Sequence, residues 1–165
     1  MSLASSLARW CFIRPGIALG LLAVCVLFCN LGAAQLFDED EPKNAACGAE
    51  MFARGDWITP TFNEDLRTDK PILVYWLMLT SYHVFGVSEF SARFWSAVLG
   101  VGTLLLTVNI GATLFNKRMG FWAGAALLAS PLFVMISRAA TPEATLTFCA
   151  TLATWCFVQA HRGYW

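Results

Sequence analysis

Long apolar runs alternate along this chain with one long polar stretch. Gly16 to Phe37 is apolar and flanked by Arg9 and Arg14. A helix of about 20 residues crosses the hydrocarbon core, so this run predicts a first transmembrane helix. A cleaved signal peptide is the competing reading, because Gly32-Ala33-Ala34 suits signal peptidase. The run is long for a signal core, and in either case the segment after it is exported. Residues 38–70 are polar. Asp40, Lys43, Cys47, Glu50 and Arg54 recur there at steps of three and four, with Ala45, Ala49, Phe52 and Ala53 opposite. That spacing predicts a short helix from Asp40 to Arg54, closed by Gly55 and lying on the membrane surface. Pro71 to Phe85 is apolar but short, which predicts an interfacial or re-entrant helix; Tyr75, Trp76 and Tyr82 suit the headgroup level. Three further runs predict helix two at 89–115, helix three at 119–137 and helix four at 142–160.

Charge sets the orientation. If the 71–85 segment does not cross, Arg9, Arg14, Lys117, Arg118 and Arg162 share the cytoplasmic side. All 11 acids then lie outside. If it crosses, Asn116-Lys117-Arg118 moves outside and the cytoplasmic face loses its best basic loop. The positive-inside rule favours the first arrangement. The expectation is an all-α integral membrane protein of the plasma (inner) membrane. It has a cytoplasmic N-terminus, four transmembrane helices and one outer loop at 38–88 carrying two interfacial helices.

Composition agrees. The chain of 165 residues is 58% hydrophobic and 13% charged, against about 25% charged in soluble domains. Net charge is zero, so no basic field for nucleic acid exists. The 6 cysteines form no C-x-x-C pair and sit mostly in apolar runs, which excludes a zinc site and a disulfide framework.

The acids cluster from Asp38 to Asp69, densest at Asp38-Glu39-Asp40-Glu41. Adjacent carboxylates beside a membrane span read as a general base, a metal ligand, or a solvated loop that fixes topology. Glu143 opens helix four after Pro142; the helix dipole explains it alone, and a place in the same outer cavity is the functional alternative. Lys70, Arg93 and Arg138 are cations able to hold a phosphate or a lipid headgroup. His83 reads as an interfacial polar residue. Asn109 and the Gly100/Gly102 pair read as helix packing. Carboxylates and cations beside an interfacial helix suit a lipid-linked phosphate substrate met at the bilayer face.

One stretch goes further. Asp40-Glu41, Glu50-Met51 and Gly55-Asp56-Trp57-Ile58-Thr59-Pro60 are followed by Asp69-Lys70-Pro71, Tyr75-Trp76, Phe85-Gly86 and Glu89-Phe90-Ser91-Ala92-Arg93. From about Asp38 to Phe148 the chain resembles polyprenyl-phosphate-sugar glycosyltransferases, the superfamily of protein O-mannosyltransferases and aminoarabinose lipid A transferases. The resemblance implies the C-type glycosyltransferase fold, with loop one forming two helices along the membrane. It implies a catalytic acid pair, Asp40 and Glu41, with Lys70 on the donor phosphate and Arg93 or Arg138 assisting. It also implies a second acid at the start of the fourth helix, usually Asp and here Glu143, as a ligand for a divalent metal such as Mg or Mn. Two departures are local: Ile72 replaces the second proline of Lys-Pro-Pro, and Lys43-Asn44 stands where Arg-Tyr is common. Family members are several times longer, so the chain reads as the front part of such an enzyme.

The implied reaction moves a sugar from a polyprenyl-phosphate carrier to a lipid or protein acceptor at the outer face. The competing class is a non-catalytic membrane subunit or transporter fragment, in which 71–85 crosses and Lys117 lies outside. A purely structural four-helix protein is a third reading, in which alanine at Asp40 and Lys70 is harmless.

Overall fold

The computed structural model describes residues 15–36 and 39–162. Arg9, Arg14 and Asp38, and the side chain of Arg162, lie outside the described residues. The elements in order are α1 (Pro15–Phe28), α2 (Asp40–Arg54), β1 (Thr61–Phe62), β2 (Asp65–Leu66) and α3 (Ile72–Phe85). They are followed by α4 (Glu89–Leu114), α5 (Lys117–Leu128), α6 (Pro131–Ser137) and α7 (Pro142–Arg162).

Helix α4 is the axle. It packs on α1, α3, α5, α6 and α7. Its start is fixed by a capping box: the Ser88 hydroxyl accepts from Ser91 N–H, and the Ser91 side chain accepts from Ser88 N–H, satisfying donors the first turn leaves open. With 26 residues, α4 is the one described helix long and apolar enough to cross a membrane. Gly100 and Gly102 let neighbours in. A Cβ at Gly100 would sit 2.6 Å from Ser137 Cβ, and one at Gly102 would sit 2.7 Å from the Phe148 ring. Asn109 accepts from Trp155 Nε1 (2.7 Å) and Gln159 Nε2 (3.0 Å) across the α4–α7 interface.

Two expected helices differ. The first was expected to run to Phe37 but stops at Phe28. Asn30 turns left-handed, with φ 58°. The carbonyls that would have continued the ladder go to two arginines: Val26 and Leu27 to Arg138, and Leu31, Ala34 and Gln35 to Arg93. The third was expected to be continuous over 119–137, yet α5 and α6 meet at 72°. Pro131 has no N–H to donate and holds Ser130 extended, which breaks the helix there.

Helices α2 and α3 with the hairpin form a second packed unit. Met51 of α2 and Tyr75, Leu79 and Tyr82 of α3 are fully buried against one another. The buried face of α2 is Glu41, Asn44, Ala45, Cys47, Gly48 and Met51. That overturns part of the polar-stripe reading, since Cys47 faces the core and Ala53 faces solvent. Gly55 ends α2 with φ 67°, as a left-handed C-cap. A two-strand hairpin follows, with Asn63 and Glu64 both at positive φ in the turn. Glu50 braces it, accepting from Thr61 Oγ1 (2.6 Å) and Asn63 N–H (2.8 Å).

Candidate functional site

Asp40 and Glu41 open the same helix and face different worlds. Glu41 is 2% exposed. Its carboxylate accepts from Arg93 Nε (2.7 Å) and Nη2 (2.9 Å), and from the backbone N–H of Ala140 (2.8 Å). Arg93, 5% exposed, also donates to the carbonyls of Leu31 (3.0 Å), Ala34 (2.7 Å) and Gln35 (3.0 Å). A guanidinium carries five N–H donors, and Arg93 has used all of them. Arg93 and Glu41 join α4, the end of the first helix and the turn before α7, and both also line the cleft described below. Removing one partner of such a buried pair costs about 3–5 kcal/mol.

Asp40 stays half exposed. Lys70 Nζ lies 2.7 Å from its Oδ2, and Arg67 Nη2 lies 3.7 Å from Oδ1. The hydrogen bond from Lys70 holds the Asp40 carboxyl below the usual carboxylate range, and the same bond raises the Lys70 ammonium. Both are therefore charged at neutral pH. Glu143 adds its field to Lys70. Arg67 is pinned by Asp69 at 2.7 Å and lies over the Phe62 ring.

Beside this pair opens a cleft of about 670 Å³. Its apolar wall comes from Leu31, Pro131, Val134, Met135 and Ile136, and its polar lining includes Asp40, Arg138, Thr141 and Glu143. Arg138 gives one nitrogen, Nη1, to Val26 O (2.6 Å) and Leu27 O (3.3 Å). Its Nε and Nη2 make no hydrogen bond to the described residues and are the donors left for a ligand. Glu143 stands exposed in the first turn of α7, favoured there by the helix dipole.

The structure thus brings Asp40, Arg138 and Glu143 to one cleft, with Lys70 at its edge through Asp40. Among the described residues no three His, Cys, Asp or Glu side chains approach closely enough to hold a metal. Of the acids lining the cleft, Asp40 and Glu143 keep solvent access and would be the ones to face a divalent cation. His83, read as an interfacial residue, is exposed and stacks on Trp57 at 5.6 Å. Sequence reasoning passed over Arg67 and Asn44. Arg67 belongs to the alternating charges of Arg67-Thr-Asp69-Lys70. Asn44 lies three residues after Glu41, on the same helical face.

Fold and site define a helical protein of membrane type whose charged cleft lies where the α2–α3 unit meets the helix ends. The model of the dolichyl-phosphate-mannose-protein mannosyltransferase family matches residues 69–164, and the chain belongs to that family. An undecaprenyl phosphate-alpha-4-amino-4-deoxy-L-arabinose arabinosyl transferase 2 of Sodalis glossinidius is 32% identical over 156 residues, which cover 92% of this chain and 28% of that protein. A protein of Aquifex aeolicus is 32% identical over 141 residues, covering 84% of this chain and 28% of its own. The crystal structure of ArnT from Cupriavidus metallidurans bound to undecaprenyl phosphate matches with a TM-score of 0.79 at 27% identity. That match covers 89% of this chain and 27% of the other. The chain therefore spans about 28% of the length of these curated relatives.

Proposed function

We propose that the chain supplies the outer cleft of a glycosyltransferase. The enzyme moves a sugar from a polyprenyl-phosphate carrier to a lipid or protein acceptor. The observation that carries this reading is the Asp40–Lys70 pair, 2.7 Å apart, at the edge of an apolar-walled cleft that also holds Arg138 and Glu143. The apolar wall suits a prenyl chain, and the cations suit its phosphate.

The roles follow from the charges. Lys70 is Asp40's partner in the resting site and a point charge able to turn to an arriving phosphate. Asp40 then loses the cation that depressed its pKa and becomes a stronger base. It takes the proton of the acceptor hydroxyl as that oxygen bonds to the anomeric carbon. The bond from that carbon to the phosphate oxygen breaks, and the polyprenyl phosphate leaves with one more negative charge. Lys70 and the open donors of Arg138 offset that charge, where electrostatic stabilisation contributes most.

The same reading places the protein in the plasma (inner) membrane, N-terminus inside, with four crossings: α1, α4, the bent α5–α6 pair and α7. Helix α3 is set apart by its packing, with Tyr75, Leu79 and Tyr82 buried against α2, and by charge, since a crossing there would carry Lys117 and Arg118 to the outside. Exposed Leu21, Leu22, Leu105, Trp122, Leu146 and Phe157 along the helices suit lipid as their solvent. Cysteine labelling at position 117 tests the orientation: protection from an external reagent supports it, and labelling from outside reverses it.

The test of function is Asp40→Asn in the membrane-inserted protein, assayed with an undecaprenyl-phosphate-linked sugar. Transfer is lost while insertion is retained. Wild-type transfer by that variant removes Asp40 from the mechanism.

A further inference from the structure

The turn between α6 and α7 begins with Arg138 and leads into Glu143 in the first turn of α7, and its middle residue is gripped from two sides. Ala140 is fully buried. Its N–H donates to Glu41 Oε1 (2.8 Å), and its carbonyl accepts from Asn44 Nδ2 (3.1 Å). Both partners come from one face of α2, three residues apart. The helix that begins with Asp40 therefore holds, by its next turn, the backbone midway between the cleft's open cation and its second acid.

Asn44 is fully buried, and burying an amide is unfavourable without a compensating bond. Its Oδ1 has no partner, so the single bond to Ala140 is the amide's only observed return. Packing alone would be met by an apolar side chain of the same size.

We propose that Asn44 is a positioning residue: through Ala140 it fixes the distance between Asp40–Lys70 on one wall of the cleft and Arg138 with Glu143 on the other. It touches no substrate. The inference rests on the reading of the cleft as a lipid-phosphate site.

Binding of undecaprenyl phosphate to the protein in nanodiscs tests it, with thermal stability measured alongside. Asn44→Ala removes the grip. Asn44→Asp fills the same space but sets an acceptor against the Ala140 carbonyl, and it carries the test if the alanine variant does not fold. Each is combined with Arg138→Gln. The Asn44 variants bind about three- to tenfold more weakly, the worth of one buried hydrogen bond. On the Arg138→Gln background they cost little more, because the positioned group is already gone. Unchanged binding by a folded Asn44 variant, or losses that multiply fully with Arg138→Gln, overturns the proposal. If Arg138→Gln itself binds as wild type, the phosphate reading of the cleft fails instead, and the two failures are told apart.

Discussion

Asp40 and Glu41 are neighbours in sequence, both acids, both in the first turn of α2, and both paired with a cation. Glu41 is sealed against Arg93 with every donor of the guanidinium occupied. Asp40 meets Lys70 at the half-exposed edge of a cleft, through one short contact. The first pair is buried and costly to break. The second is cheap to break and sits where a phosphate can compete for it. An acid pair in a sequence is thus two different arrangements, a buried clamp and a half-exposed pair that we propose as the reactive one, separated by the 100° step between adjacent helical residues.

The largest effect should come from breaking the clamp. Arg93→Ala leaves Glu41 charged and buried, and the expected loss is about 3–5 kcal/mol of stability. Thermal melting or the yield of folded protein in detergent reads it. Converting both partners to apolar residues of similar size, Glu41→Met with Arg93→Leu, should recover part of that loss, because the unpaired charge is gone. If Arg93→Ala melts like wild type, the clamp is not what joins the α2–α3 unit to the helices.

Lys70→Ala should do the reverse. Stability moves within about 1 kcal/mol, as for an exposed pair, while transfer falls by about a hundredfold through loss of charge stabilisation at the leaving phosphate. A melting shift as large as that of Arg93→Ala would erase the distinction between the two pairs.

A smaller effect is on pH. Asp40 is held below its usual 3.8 by the bond from Lys70. Its folded pKa is the lower one, so its contribution to stability is full above the unfolded value and is lost as pH falls through the folded value. Lys70 is raised above its usual 10.5, so its share is full below that value and is lost as pH rises through the higher folded one. The resting pair is therefore intact through the neutral range. In Lys70→Ala the acid limb of Asp40 titration should move up toward 3.8. Following the carboxyl by isotope-edited infrared spectroscopy checks this; an unmoved limb would mean that another group depresses Asp40.

Much of this was legible in the sequence, for reasons visible in particular residues. The three-and-four spacing with Gly55 marked α2, fifteen apolar residues marked the short α3, and the long apolar run at 89–115 marked α4. Glu41's burial was not legible, because the partner that seals it lies 52 positions away. The early end of the first helix was hidden likewise. Local composition favours continuing to Phe37, and two distant arginines take the carbonyls instead. The bend before α6 did have a signal in Pro131, which a run read only for hydropathy passes over. The hairpin was missed because Asn63-Glu64 lacks the usual glycine. Of the site candidates, Asp40, Glu41, Arg93, Arg138 and Glu143 line one cleft with Lys70 bonded to Asp40, while the backbone carbonyls that Arg93 also holds had no sequence signal.

The central claim is that the Asp40–Lys70 edge and the open donors of Arg138 form one lipid-phosphate site. The most direct measurement is the affinity of the membrane-inserted protein for undecaprenyl phosphate, wild type against Lys70→Ala. At least about tenfold weaker binding, or about 1.4 kcal/mol, is expected for the variant, with the difference shrinking as salt is raised. Equal affinity at low salt would contradict the account.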